Sequence, residues 1–168
     1  IDNECPLCKD PLLDEPIDVH VATYDEQQAL TSLTNDEGEV EHYEGERGAE
    51  RKVRKLDKDG EVEYYEGEQG AEHIVRMVLT SGTVVYYEGE LGAEHIVRME
   101  RPNGDVRYYE GERKAERKVR VVTALGYTMH FTGEQGEEQL VKTVSPDGTV
   151  TFANGRSVRQ RTESQCVL

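Results

Sequence analysis

The sequence predicts an all-β protein built as a repeat array of antiparallel β-hairpins, and three observations lead to this prediction. All sixteen glycines fall into three columns that recur every 22 residues. Valine and aromatic residues recur in the same step. The composition is 35% hydrophobic and 33% charged with no tryptophan, which is too polar for a thick core. Such a chain suits a fold in which each unit covers only its neighbours.

The glycine columns mark turns, because a glycine that recurs in register reflects a backbone that needs positive φ or the close approach of a neighbour. One column runs from Gly38 to Gly148 and another from Gly45 to Gly155, both in steps of 22. The third column consists of Gly48, Gly70, Gly92 and Gly136, with Lys114 at the remaining position.

Each unit is predicted to contain two strands of about seven residues and two short turns, which together account for the repeat length. The stretch 60–68 (GEVEYYEGE) is rich in β-formers, and Tyr64 alternates onto the same face as the valine before it. The stretch 72–79 (EHIVRMVL) also reads as a strand, with Val75 and Met77 on one face. Turn sequences such as Pro-Asn-Gly and Pro-Asp-Gly separate the units.

Two arrangements can use this unit: a meander of hairpins, or a parallel β-solenoid with one unit per coil. In a solenoid, equivalent residues stack about 4.8 Å apart, so the recurring glutamates would form destabilising like-charge ladders. In a meander, equivalent residues lie two strands apart, and second strands carrying basic residues flank each acidic first strand. We therefore favour the meander, with the solenoid as the alternative. The basic column consists of Arg54, Arg76, Arg98, Arg120 and Lys142.

A family resemblance follows from the repeat. The element Tyr65-x-Gly67-Glu68, with a turn glycine after it and a next unit beginning Gly-x-Val-x-Tyr-Tyr, resembles MORN-type repeats. The resemblance covers residues 38–155, the predicted array of five to six units. The sequence departs from the family in its shorter unit, in Gln69 where an aromatic residue is expected, and in Val-Arg where paired glycines are expected. The resemblance implies a single-layer, curling antiparallel sheet that scaffolds protein contacts or lies near membranes, without catalytic residues.

The two ends differ from the repeat. Residues 1–37 carry ten acidic residues against one lysine, a net charge of −9. The pattern Thr23-x-x-Glu26 matches a capping box and predicts a short helix over 24–33. We expect a small β-α cap there that covers the edge of the first repeat. The basic, polar tail 156–168 is predicted to be a flexible arm.

A pair of cysteines gives the chain its one metal-like spacing. Cys5-Pro-Leu-Cys8 resembles the closing cysteine pair of a RING finger, and the stretch after it is loosely similar to a U-box strand and helix. A structural zinc site needs four ligands, whereas Cys5, Cys8 and His20 supply three. The prediction is therefore no cofactor and free or buried thiols, with bound zinc and a ubiquitin-pathway adaptor as the alternative.

Catalysis is not predicted. Paired carboxylates can act as acid and base when their environments push their pKa values apart, but the glutamates here recur in equivalent environments. His73 and His95 share a column with arginine and glutamine, which indicates a surface position rather than a metal ligand. No nucleophile signature and no phosphate-binding glycine loop occurs in the sequence.

The predicted function is a non-catalytic scaffold or accessory subunit that presents an elongated surface to protein partners in a larger assembly. Tyrosine and arginine are enriched at interfaces. The unit 104–125 has a net charge of +2, whereas the unit 60–81 has −4, so a basic band lies on an acidic body. The predicted contact residues are Tyr65, Tyr87, Tyr109, Arg107, Arg113, Lys114, Arg117, Lys118 and Arg120.

Charge and composition also limit the partners and the compartment. The net charge of −15 disfavours nucleic acid and direct contact with anionic lipid headgroups. No apolar run approaches the roughly 20 residues needed to span a bilayer. Three sparse cysteines indicate an intracellular, reducing compartment. The organelle stays open, because Ile1 rather than methionine begins the sequence.

Overall fold

The computed structural model describes residues 21–159, which form one antiparallel sheet of fourteen strands. Each strand pairs with the next along the chain, so the predicted meander is confirmed and the parallel solenoid is excluded. The strands are β1 (Val21–Tyr24), β2 (Leu30–Thr34), β3 (Val40–Glu44), β4 (Arg51–Leu56), β5 (Val62–Glu66), β6 (His73–Val78), β7 (Val84–Glu88), β8 (His95–Glu100), β9 (Val106–Glu110), β10 (Arg117–Val122), β11 (Thr128–Thr132), β12 (Gln139–Val144), β13 (Thr149–Phe152) and β14 (Ser157–Arg159).

One kind of turn is short and has a glycine three positions after its first residue, which is acidic or polar in most units. Between β4 and β5, the Gly60 amide donates to the Asp57 carbonyl oxygen at 3.2 Å, and the Asp57 amide donates to the Glu61 carbonyl oxygen at 3.0 Å. The Asp57 carboxylate also accepts the Glu61 amide. Gly60 has φ +89°, a backbone conformation that favours glycine.

The other kind of turn places two glycines under different constraints. A Cβ on Gly67 would lie 2.5 Å from the Ala71 carbonyl oxygen, so this position excludes every side chain. Gly70 has open space around it and needs only its left-handed backbone, with φ +79°. Lys114 adopts the equivalent conformation, with φ +66°. This explains why lysine can replace the third column of glycines but not the second.

A β-bulge accompanies each of the longer turns and was not predicted. Tyr64 pairs with Arg76, but the next residue, Tyr65, pairs with Ile74, which leaves Val75 as an extra residue on β6. The bulge interrupts the alternation that would place Val75 and Met77 on one face. The same register shift occurs in the β3–β4, β7–β8, β9–β10 and β11–β12 hairpins.

The core of the sheet is thin, as the composition predicts. Within residues 21–159, the buried hydrophobic side chains are Ala29, Val85, Val121 and Val150, and no polar or charged side chain is buried. Most strand residues are half-buried. Each unit is therefore covered mainly by its two neighbours, as in other repeat arrays.

The helix predicted over 24–33 is wrong, because β1 and β2 form a further hairpin there. The Thr23 hydroxyl contacts the Ser32 hydroxyl across the strands at 2.7 Å instead of capping a helix. The Asp25 carboxylate accepts the amides of Gln27 and Ala29, which makes a turn rather than a helix start.

The register explains why the repeat step did not reveal this first hairpin. Val21 pairs with Thr34 as Val40 pairs with Leu56, so Val21 occupies the place of Val40 in its own unit. The two valines are 19 residues apart rather than 22, because the first turn is three residues shorter. Gln28 takes the positive φ of this turn, at 64°, where later units have glycine.

The sheet also extends into the tail that was predicted to be a flexible arm. Ser157–Arg159 forms β14, and Val158 pairs with Val150 on β13. Gly155, with φ +82°, closes the connecting turn. The prediction of a flexible arm is therefore wrong for 157–159, and the rest of that segment lies outside the described residues.

Candidate functional site

The two tyrosines of each Tyr-Tyr pair lie on opposite faces of the sheet, because successive strand residues alternate. We call the two surfaces the ladder face and the packing face. The ladder face carries Tyr64, Tyr86 and Tyr108, and the packing face carries Tyr65, Tyr87 and Tyr109.

The packing face has an apolar centre. Met77 and Met99 pair with Val85 from either side, and Val85 is only 3% exposed. The Tyr87 hydroxyl lies 4.0 Å from the Met77 sulfur. The methionines and valines of neighbouring units thus bury one another across the strands.

Burial also shows in the titration of the packing-face tyrosines. Burial raises the pKa of Tyr87, and the nearby Glu63 carboxylate raises it further. Burial is likewise the first cause of the raised pKa of Tyr65, followed by its hydrogen bond to Glu63. The phenol groups of Tyr65 and Tyr87 are therefore neutral, and their hydroxyls already contact Glu63 and Met77 within the sheet.

The ladder face carries a row of tyrosines and cations that runs directly across the strands. Arg76 pairs with Tyr64 on one side and Tyr86 on the other, and Arg98 pairs with Tyr86 and Tyr108 in the same way. The row reads His42, Arg54, Tyr64, Arg76, Tyr86, Arg98, Tyr108, Arg120, His130, Lys142 and Phe152 from β3 to β13.

Stacking holds this row together. The distances from guanidinium carbon to ring centroid are 4.2 Å for Arg76 and Tyr64, 5.1 Å for Arg98 and Tyr86, 5.9 Å for Arg98 and Tyr108, and 3.8 Å for Arg120 and Tyr108. These lie within the range of cation–π attraction. The Nε atoms of Arg54, Arg76 and Arg98 are buried without a hydrogen-bond partner in the described chain.

Across the strands the arginine column therefore pairs with tyrosines, and the one ion pair that it makes among the described residues joins Arg98 to Glu100 on its own strand. Glutamates of another column have a different task, since they accept hydrogen bonds from the backbone. Glu72 accepts the Gly70 amide at 2.9 Å and the Lys52 amide of the preceding unit at 3.2 Å, and its backbone hydrogen bonds lower the pKa of its carboxyl group. The same kind of contact is made by Glu50, Glu94, Glu116 and Glu138.

An open groove of about 710 Å³ lies on the ladder face at β9–β11. Tyr108, Arg120 and His130 line it, together with Arg117, which pairs with Glu110 at 3.1 Å. Desolvation lowers the pKa of His130, and the neighbouring charges of Lys142 and Arg120 lower it further. The groove is thus a place where cationic groups gather beside aromatic rings.

The structure divides the nine predicted contact residues among three places. The packing face holds Arg107, which pairs with Val121, and Lys118, whose Nζ lies 4.4 Å from the Phe131 ring centroid. By its register Tyr109 belongs to the packing face with Tyr65 and Tyr87, but it also lines the ladder-face groove. That groove holds Arg117 and Arg120, and the turn between β9 and β10 holds Arg113 and Lys114.

The first tyrosine of each pair was not among the predicted contact residues. The signal that could have revealed it is the short turn, because counting outward from it pairs Arg76 with Tyr86 without a bulge. Counting from the longer turn fails, because the extra residue of the bulge changes the facing of the residues beyond it.

No metal site is found in the described part of the chain. Within residues 21–159, no three histidine, cysteine or acidic side chains cluster as metal ligands would. Cys5, Cys8 and His20 lie outside the described residues, so the zinc alternative stays a prediction that metal analysis of the purified chain can test.

No helix among residues 21–159 has the length and apolar character to cross a bilayer.

Comparison of the chain with models of known protein families and with curated proteins finds no match. What the sheet can bind must therefore be inferred from its own residues and geometry.

Proposed function

We propose that the protein is a non-catalytic scaffold or accessory subunit, MORN-like in its repeat, that binds protein partners through the ladder face. The observation that carries this proposal is the row of alternating tyrosines and arginines across β5–β10, in which Arg76, Arg98 and Arg120 make cation–π contacts with tyrosine rings. These residue types dominate the energetics of protein interfaces. The row is also accessible, since the Arg98 side chain is 40% exposed.

The single layer of the sheet supports this role. Sheets are stable when one face packs against another layer, but the described residues supply no second layer. The packing face satisfies part of that need through its methionine and valine contacts. The ladder face keeps half-exposed aromatic and cationic groups over many strands, which suits an elongated partner.

The equivalence of the units supports a non-catalytic role. His73 pairs with Glu66, and His95 pairs with Glu88 in the same register one unit later. Acid–base catalysis needs titratable groups whose environments push their pKa values apart. Repetition of one environment along the array provides no such pair.

The proposal is tested by crosslinking and mass spectrometry in native extract with matched variants. The ladder variant replaces Arg76, Arg98 and Arg120 with glutamine. The control replaces Lys52 and Lys118 on the packing face, also with glutamine. We expect the ladder variant to lose the specific crosslinked partners and the control to keep them. Circular dichroism establishes that both remain folded. Partners retained by a folded ladder variant would refute the proposal.

A further inference from the structure

The cations of the ladder face have a regular spacing. Arg98, Arg120 and Lys142 lie on β8, β10 and β12, in the same row and always two strands apart. Neighbouring strands are about 4.7–4.9 Å apart, so successive cations are separated by about 9.4–9.8 Å at the backbone. A partner that lies along the row meets one cation per step of that length.

This step matches one backbone conformation better than the others. A polyproline II helix repeats every three residues, over about 9.3 Å. Side chains on one face of an extended strand repeat about every 6.7 Å. An α-helix returns to the same face after seven residues and about 10.5 Å. A polyproline II segment therefore stays in register with all three cations, whereas the other conformations drift.

The groups between the cations also suit such a segment. Tyr108 and His130 alternate with the cations in the row, and Phe152 follows at its end, 37% exposed. Aromatic-lined grooves are the usual docking sites of polyproline II segments, because the proline rings pack on the aromatic side chains. The groove of about 710 Å³ lies over Tyr108, Arg120 and His130 of the row.

The charge of this region selects an acidic partner. Glutamates line the ladder face at Glu66, Glu88 and Glu110, but the equivalent residue of the next unit is Thr132. Glu110 already pairs with Arg117 at 3.1 Å. Arg98, at the start of this part of the row, is paired with Glu100, whereas Arg120 and Lys142 form no ion pair within residues 21–159. The cations therefore meet fewer carboxylates of the protein itself at β10–β12 than at β5–β8.

We propose that the ladder face from Arg98 to Lys142 binds an acidic, proline-rich protein segment in the polyproline II conformation, with a carboxylate at every third residue. The inference rests on the proposed function and names the chemistry of the partner. Each carboxylate pairs with one cation of the row, and the prolines between them pack on the aromatic rings. Proline lowers the entropy that the segment loses on binding.

Fluorescence anisotropy with synthetic peptides tests this inference. The probe is a labelled (Glu-Pro-Pro)n peptide of about eighteen residues, and the control peptide has the same number of glutamates at every fourth residue. We expect the three-residue spacing to bind at least about fivefold more tightly than the four-residue spacing. A (Lys-Pro-Pro)n peptide should not bind. Equal binding of both glutamate peptides would overturn the inference.

Variants locate the site. Arg120→Gln and Lys142→Gln should each weaken binding of the glutamate peptide about two- to fivefold, as expected for exposed ion pairs. Lys52→Gln on the packing face should leave binding unchanged. In NMR spectra, the bound carboxylates should raise the pKa of His130, which lies between Arg120 and Lys142. A peptide that binds without changing His130 or responding to these variants would refute the proposed site.

The competing outcomes separate the inference from the proposed function. If native partners crosslink to the ladder face but the peptide does not bind, only the inference fails. If the ladder variant loses neither partners nor peptide binding, the proposed function fails too. If vesicles containing phosphatidylserine bind through Arg120 and the peptide does not, the ladder face recognises a membrane, and the inference is wrong.

Discussion

The ladder face and the packing face are built from the same strands and the same repeated letters, yet they differ in chemistry. On the packing face, Tyr87 contacts Met77, and Val85 is almost fully buried. On the ladder face, its chain neighbour Tyr86 stands between Arg76 and Arg98. Adjacent tyrosines therefore have different roles. One packs against apolar side chains and stabilises the single layer, and the other lies beside cations on the accessible face.

The difference teaches that in this array the neighbour across the strand defines the role of a residue. A tyrosine opposite methionine or isoleucine becomes part of the packing. A tyrosine opposite arginine becomes part of a polar surface. The bulge at each longer turn assigns these neighbours, so changes to the turn should affect both faces, and changes to one face should affect that face alone.

The largest expected effect comes from the turn that sets the bulge. Gly89→Ala would place its Cβ 2.5 Å from the Ala93 carbonyl oxygen, at φ +111°. We expect it to lower the free energy of unfolding by about 3–5 kcal/mol, measured by urea denaturation. Gly92→Ala is the matched control, because it has φ +85° with open space and should cost about 1 kcal/mol. Equal losses for both variants would contradict the steric explanation.

A smaller effect should distinguish the two faces directly. Val85→Ala removes a side chain that is 3% exposed on the packing face, and we expect a loss of about 2 kcal/mol in the free energy of unfolding. Val84→Ala, on the ladder face and only half-buried, should cost less than about 1 kcal/mol. Thermal and urea denaturation of both variants measure the difference. A larger loss for Val84→Ala would mean that the ladder face carries the main packing.

The smallest expected effect concerns the stability of the longer turns in acid. Backbone hydrogen bonds lower the pKa of Glu72 below its ordinary value of 4.5, with Lys52 adding an attractive charge. Because the folded pKa is lowered, this contribution to stability is present above about pH 4.5 and is lost as the pH falls through the folded pKa.

Glu72→Gln should therefore flatten the decrease in urea midpoint on acidification, relative to the unmodified chain. Glu66→Gln, a strand glutamate on the ladder face, serves as the comparison. The same acid response in Glu72→Gln and in the unmodified chain would show that the Glu72 hydrogen bonds are not the cause.

Much of the architecture could be predicted from particular residues. The second glycine column predicts the longer turns correctly because its members from Gly45 to Gly133 exclude any Cβ, which is a local steric requirement. The first hairpin could not be predicted, because its turn lacks three residues and Gln28 replaces a glycine. The capping-box pattern at Thr23 was misleading, since Asp25 within it accepts backbone amides and forms a turn between strands instead.

The candidate site was predictable only in its residue types. A surface of tyrosine and arginine was expected, but the predicted set included Tyr65, Tyr87 and Tyr109, which the structure places on the packing face. Whether those residues contact partners stays a prediction. The row formed by the other tyrosines depends on strand register, which no single strand encodes.

By itself, the sequence determined the 22-residue unit, the antiparallel meander and the thin core. Glycine, valine and charge act at those positions through local sterics and through pairing with the next strand. Only the tertiary structure decided that Tyr64 rather than Tyr65 meets the arginine column, and that Glu72 holds backbone amides instead of a cation. The physical reason is that the register of two strands decides which side chains meet, and this register, with its bulge at each longer turn, exists only when the strands are paired.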